Sequence, residues 1–250
     1  MLKKLTILIV ICLFVSIQNM NSQGFNWQFN SRFPNMNPKL FVGIQTDYTK
    51  TINSANIPYN EGSFNCCEFS DGNGNQFSFG LIGEFWYYEE TALTFGLNYS
   101  INDAFFSNQR QIPRREYFLV TNYELSTDVS FLNFEIGIKQ RFPNTFLYGG
   151  VNLKSNLFLS ESLVFNEIKD KQTPSEDPFQ NRYNIPNARI SEFSTVNFAI
   201  GIFLGYDFSI MQGIYFSPNF EYNVPLNSLL SESDWFMYGS KFKIKILKNF

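Results

Sequence analysis

From residue 40 onward, apolar residues alternate with polar or small ones at a period of two, the spacing of a pleated strand. Phe77, Phe79, Leu81, Phe85 and Tyr87 share one face with Gly83, while Ser78, Gly80, Glu84 and Trp86 share the other with Ile82. After Glu89-Glu90-Thr91, Leu93, Phe95, Leu97, Tyr99 and Ile101 oppose Ala92, Thr94, Gly96, Asn98 and Ser100. The split recurs with Leu40, Val42 and Ile44 against Gly43, Gln45 and Asp47. It recurs again with Leu132, Phe134, Ile136 and Ile138 against Asn133, Glu135, Gly137 and Lys139. Leu147, Val151, Leu153, Leu157 and Leu159 oppose Tyr148, Gly150, Asn152, Lys154 and Asn156. Val196 to Tyr206 and Ile214 to Tyr222 follow the same rule, and Glu221 lies on the polar side. The last segment sets Tyr238, Phe242, Ile244, Ile246 and Phe250 against Gly239, Lys241, Lys243 and Lys245. The pattern predicts eight strands of an all-β, eight-stranded antiparallel up-and-down barrel.

The connections alternate too. The links near 88–91, 142–145 and 209–213 are short. Those near 51–75, 102–126, 168–191 and 225–235 are long and rich in Asn, Ser, Pro, Glu and Asp, which predicts long loops at one end and tight turns at the other. Three lysines of the last strand share a face with Glu221, and a lysine facing lipid near the bilayer midplane costs about 2–4 kcal/mol. The apolar face is therefore expected outside, against lipid, and the polar face inside. An eight-stranded interior is only wide enough to be filled by side chains. Tyr87, Tyr99, Tyr206, Tyr222 and Tyr238 suit interfacial girdles. Alternation from about Tyr117 to Phe142 and from Phe146 to Phe165 outruns the roughly 9–11 residues that cross a bilayer, so strands protrude. Pro218 falls inside the seventh strand, where a ring without a free edge calls for a bulge.

The N-terminus changes the setting. Lys3 and Lys4 precede an apolar run from Leu5 to Ile17 and a polar stretch to Gln23, the layout of a secretory signal. The expected organisation is a signal peptide over 1–22, a periplasmic segment over 23–36 and the barrel over 37–250. Cys66 and Cys67 lie in a Gly/Asn/Ser-rich stretch and are expected on a loop. With no further Cys or His beside them they make no zinc site. Aromatic residues reach 18% with 30 Phe, charged residues only 16%, and net charge is -3. No basic field for nucleic acid exists. The chain has no histidine, so a serine nucleophile lacks its usual base, and no catalytic residue, cofactor or metal site is expected. Asp71-Gly72-Asn73-Gly74-Asn75 has a calcium-like composition without the later bidentate Glu and is expected as a solvated turn.

The chain ends in an alternating strand with Phe242, Ile244, Ile246 and Phe250 at the ninth, seventh, fifth and final places from the end, while Lys248 departs from the pattern. This resembles the C-terminal assembly signal of outer-membrane barrels. With the signal segment and the long–short alternation, the chain resembles small eight-stranded outer-membrane barrels of the OmpA/OmpX type. Its Phe- and Asn-rich style also looks like PorT-like barrels of Bacteroidota. The resemblance implies residence in the outer membrane, contact with its lipid and engagement of the barrel-assembly machinery through the last strand.

On the inner face, Asp47, Glu84, Glu135 and Glu221 accompany Lys139, Arg141, Lys154, Lys241, Lys243 and Lys245. Enclosed charges must pair or be hydrated, and Glu221 is expected near Lys241. The network reads as a plug. The function expected is a non-enzymatic barrel with a mostly filled lumen and a structural or surface-interaction role, with an extracellular or secretion-complex partner. The alternative is a small porin or the membrane component of a secretion machine.

Overall fold

A computed structural model describes residues 40–250 except 62–63, 89, 114–117, 144, 173–179, 186–191 and 212. The signal segment and residues 23–36 lie outside the described residues. Ten strands are defined: β1 (Leu40–Glu61), β2 (Phe64–Trp86), β3 (Thr91–Pro113), β4 (Phe118–Arg141), β5 (Leu147–Gln172), β6 (Gln180–Ile185), β7 (Val196–Tyr206), β8 (Phe208–Met211), β9 (Ile214–Pro225) and β10 (Asp234–Asn249). Antiparallel pairing runs β1-β2-β3-β4-β5-β7-β9-β10, and β10 pairs with β1 from Phe41↔Asn249 to Asn56↔Asp234, so the sheet closes. The ring has eight crossings. The sixth is divided: β6 pairs with the far part of β5, β7 carries the wall, and β8 continues it against β9. The chain is a transmembrane up-and-down β-barrel, with the short turns, Leu40 and Phe250 at one end, called here the lower rim.

Pro218 needs no bulge. It pairs with Ile244 in an unbroken β9–β10 register. On its other side the β7–β9 ladder stops at Gly205↔Asn219 and the β8–β9 ladder resumes at Phe208↔Phe216. The same register sets Tyr206 opposite Pro218, so the ladder is interrupted where the ring nitrogen has no hydrogen to donate.

The outer face carries an apolar band. Leu40, Val42, Ile44 and Tyr48 on β1, Phe77 to Phe85 on β2 and Phe95 to Ile101 on β3 are exposed at alternate positions, as are Ile200, Ile202 and Leu204 on β7. The runs on β1 and β2 span nine residues each, within the roughly 9–11 that cross hydrocarbon on a tilted strand. Tyr87, Tyr99 and Tyr222 are exposed on this face, and Tyr206 and Tyr238 are half-buried. The band gives way where Lys50, Asn75, Asp103 and Asp128 take exposed positions, with Ile52 and Phe105 exposed one outward step beyond on β1 and β3.

Beyond that line the strands do not stop. The expected long loops over 51–75 and 102–126 are strand for most of their length, β1 running to Glu61, β2 beginning at Phe64, β3 running to Pro113 and β4 beginning at Phe118. Asp71–Asn75 lies within β2, paired with β1 and β3, rather than in a turn. Cys66 and Cys67 are also in β2 rather than on a loop. The reason is a reversal of polarity. Inside the hydrocarbon, polar groups must turn inward. Above it the strand meets water, so Asn and Asp face out while Ile57, Phe69, Ala104, Phe106, Leu125, Phe131 and Phe165 face in.

The connection over 226–233 is a true loop, and it folds inward. Leu229 and Leu230 are buried against Trp235, Phe106 and their neighbours. Its backbone completes the wall where no strand does: Leu229 N–H donates to Trp235 O at 2.8 Å, and Ser194 N–H to Leu229 O at 2.8 Å. Asn227 adds a side-chain stitch, accepting from Phe198 N–H at 2.7 Å and donating to Val196 O at 3.2 Å. Ser228 Oγ accepts from Trp235 N–H at 2.9 Å and Leu230 N–H at 3.1 Å.

Candidate functional site

The pleat aims alternate residues of every crossing into the lumen, and the charged ones meet in two tiers. The tier nearer the lower rim centres on Lys139 from β4, which is fully buried. Its Nζ lies 3.0 Å from Glu84 Oε2 of β2 and 3.0 Å from Asp207, the residue between β7 and β8. Arg141 reaches Asp207 Oδ2 at 2.9 Å, and Lys245 reaches Glu84 Oε1 at 3.4 Å. Aromatic faces complete the shell: Lys139 sits 4.0 Å from the Tyr148 ring centre, and the Arg141 guanidinium 4.3 Å from that of Trp86. Such cation–π contacts strengthen when desolvated. Below them, Phe41 packs edge-on to Trp86 and Tyr215, with ring centroids 6.4 Å and 5.5 Å apart, forming an aromatic floor.

The second tier gathers Asp47 of β1, Glu135 of β4, Lys154 of β5, Glu221 of β9, and Lys241 and Lys243 of β10. Lys243 bridges Glu135 at 2.6 Å and Glu221 at 3.4 Å. Lys154 contacts Glu221 directly and Glu135 at 3.6 Å. Lys241 reaches Asp47 at 3.2 Å and Glu135 at 3.8 Å. Asn152 Nδ2 donates to Glu221 Oε2 at 3.1 Å, and Ser78 Oγ donates to Asp47. This tier holds three carboxylates and three ammonium groups, so its charges cancel. Every member is almost fully buried, and a group removed from water so completely persists as an ion only in such company.

The expected Glu221–Lys241 contact takes another form. The two residues are opposite each other in the β9–β10 ladder, yet the Lys241 ammonium goes to Asp47 and Glu135. Asp47 lies on β1, the strand on the other side of β10, diagonal to Lys241, and Glu135 lies on β4 across the lumen, so a long lysine side chain chooses between both neighbouring strands and the far wall. Gly201 makes one crossing possible. A Cβ there would stand 2.2 Å from Asn152 Oδ1 and 2.9 Å from Glu221 Oε1, so any side chain would push the carboxylate off its lysine.

All of Asp47, Glu84, Glu135, Lys139, Lys154, Glu221, Lys241, Lys243 and Lys245 face the lumen, divided between the tiers. The final strand places Phe242, Ile246 and Phe250 exposed on the outer face and Ile244 half-buried. Asp207 is the member that sequence reasoning missed. The signal was the inward parity of Ala199, Gly201, Phe203 and Gly205, carried one step further into what reads as a turn. Trp86 and Tyr148, read only as small-face residues, prove to be the aromatic partners of the cations.

Carboxamides and hydroxyls fill the lumen beside and above the charges, Gln45 lying one inward step below Asp47 on β1. Gln45 donates to Asn98 at 2.6 Å, and Asn133 to Ser100 at 2.9 Å. A cavity of about 40 Å³ opens between Glu135, Lys154 and Lys241 of the second tier, with Asn133 beside them, and the roof of Leu229 and Met237. The roof is tied to the wall by Trp235 Nε1, which donates to Asn53 Oδ1 at 3.0 Å. From rim to roof the lumen therefore runs aromatic, ionic, amide-lined and apolar.

No protein-family profile matches the chain, and no curated protein matches it. Solved structures do. Neisserial surface protein A (NspA) shares 10% identity, with 84% of this chain and 97% of that one covered and a TM-score of 0.34. The outer-membrane protease OmpT of Escherichia coli shares 8%, covering 85% and 97%, with a TM-score of 0.34. The outer-membrane protein AlkL shares 8%, covering 85% and 90%, with a TM-score of 0.39. These are outer-membrane β-barrels, and at such identities the likeness is one of fold alone.

Proposed function

We propose that the chain is a non-enzymatic outer-membrane barrel with a filled lumen, acting in envelope structure or surface interaction through its protruding end. The observation that carries the reading is the stack inside the barrel. Two ion-pair tiers lie between an aromatic floor and an apolar roof that loop 226–233 folds in to make. A conducting pore would have to break paired, desolvated charges, which is costly. The short turns and the lower rim lie on the periplasmic side, following the asymmetry of such barrels. The β1–β2, β3–β4 and β5–β6 hairpins then stand outside the cell, where their polar outer faces meet water and an extracellular partner. Ser78 also supports a non-enzymatic role. Its hydroxyl donates to Asp47, whose Oδ2 also holds Lys241 at 3.2 Å, so the lysine that shares this carboxylate is an ion-paired ammonium rather than a base.

Planar-bilayer recording on refolded protein tests the reading. No sizeable stable conductance is expected from the native chain. A stable conductance that Glu221→Gln alters would overturn the filled lumen and favour the small porin. Pull-down from crosslinked cells separates a lone barrel from a secretion-machine component through the number of envelope proteins recovered with it.

A further inference from the structure

Large side chains fill most outward positions of the band, and over β5 they are interrupted by Gly149, which points outward. Phe142, just past the end of β4, and Leu204 of β7 flank it, and Phe220 and Tyr222 of β9 form the far wall. Together they line an open groove of about 670 Å³ whose walls are almost wholly carbon. Its walls belong to the apolar band: Leu204, Phe220 and Tyr222 are 52%, 57% and 44% exposed. One polar residue, Gln140, lies at the end nearer the lower rim, where β4 leaves the band.

We infer that this groove is a binding site for one acyl chain of a glycerophospholipid in the periplasmic leaflet, with Gln140 beside the ester and headgroup. The inference rests on the bilayer-spanning fold and not on whether the lumen conducts. The driving force is packing. Lipid tails are as apolar as leucine, so moving one onto the protein gains no hydrophobic free energy. A chain lying in a concave groove, however, touches walls on several sides where a chain on a convex face touches one, and each additional contact adds dispersion. A flexible chain can follow the groove across β5, β7 and β9. A second barrel would present a convex wall that meets the rims and leaves the floor unfilled. The amphipathic order of the groove, carbon along its length and a carboxamide at the headgroup end, matches a phospholipid end to end.

Gly149 provides a clean test because a side chain there is tolerated. A Cβ would meet only ordinary contacts, the nearest being Phe203 O at 3.5 Å, whereas at Gly150 it would stand 2.1 Å from Ile138 O. Gly83, also outward-facing in the band, has only Phe41 O within 4 Å, at 3.8 Å, and serves as control. The experiment is native mass spectrometry of barrel extracted from membranes in mild detergent, with stepwise collisional activation. The native chain and Gly83→Leu are expected to keep one phospholipid after all others are stripped, and Gly149→Leu to lose it. Heat-modifiable migration confirms that each variant is folded. Equal retention in Gly149→Leu, or no persistent lipid on the native chain, overturns the site. A dimer that Gly149→Leu dissociates assigns the groove to a second copy and overturns it as well. Recovery of the chain outside the membrane fraction would instead mark failure of the bilayer reading.

Discussion

Asp207 is the most informative residue to change. Its carboxylate accepts from Lys139 Nζ at 3.0 Å and from Arg141 at 2.9 Å, and the side chains of Lys139 and Arg141 are 0% and 7% exposed. Asp207→Asn keeps the shape and one acceptor oxygen but removes the negative charge, leaving Glu84 to face Lys139 and Lys245. Hydrogen bonds to charged groups contribute about 1.5–3 kcal/mol each, and removing one partner of a buried pair typically costs about 3–5 kcal/mol. The larger estimate applies because both cations stay enclosed by Trp86 and Tyr148. Equilibrium urea unfolding of refolded barrel in micelles, followed by tryptophan fluorescence, reads this directly. At a slope of roughly 2 kcal/mol per molar, the midpoint is expected to fall by about 2 M. Replacing Lys139 by Met in the same chain removes a stranded charge and should recover about 1–3 kcal/mol. A loss below about 1 kcal/mol for Asp207→Asn, or a double variant no more stable than the single one, would refute the claim that the tier is a desolvated ion network.

Two further outcomes follow from the reversal of polarity along the strands. Ile136→Arg places a charge in the apolar band and is expected to cost about 2–4 kcal/mol, whereas Asp128→Arg, exposed above the band, should cost close to nothing; similar losses in vesicle unfolding would misplace the boundary. Trp235→Ala removes a fully buried ring from the upper cluster together with its hydrogen bond to Asn53. It should lower stability by about 3–5 kcal/mol, visible as a fall in the temperature of gel-shift unfolding, and an unchanged temperature would mean that the roof is not packed.

Some of this protein is legible in its sequence and some is not, and the division is physical. A period of two belongs to the strand itself, so the crossings and their faces can be read residue by residue. The cost of a lysine in hydrocarbon is also local, and it assigns Lys241, Lys243 and Lys245 to the inside without reference to any partner. The alternation from about Tyr117 to Phe142 already extended β4 beyond the bilayer, but the upper halves of β1 to β3 escaped because Asn, Asp and Ser facing water from a strand have the composition of a loop. Their inward apolar residues form a core only after the ring has closed. Asp207 escaped because it sits at the break opposite Pro218, beyond the last regular pair. Ion-pair partners were beyond reach of sequence for a different reason. Lysines spanning a narrow lumen choose among all the walls, so Lys241 bypasses the Glu221 opposite it in the ladder and meets Asp47 and Glu135. Sequence alone determined the barrel, its lipid face and the inward placement of charge, because these follow from single-strand periodicity and single-residue transfer costs. The closure of the ring alone decided which charges pair, how loop 226–233 seals the far end, and where Gly149 leaves a groove, because these depend on distances between strands far apart in the chain.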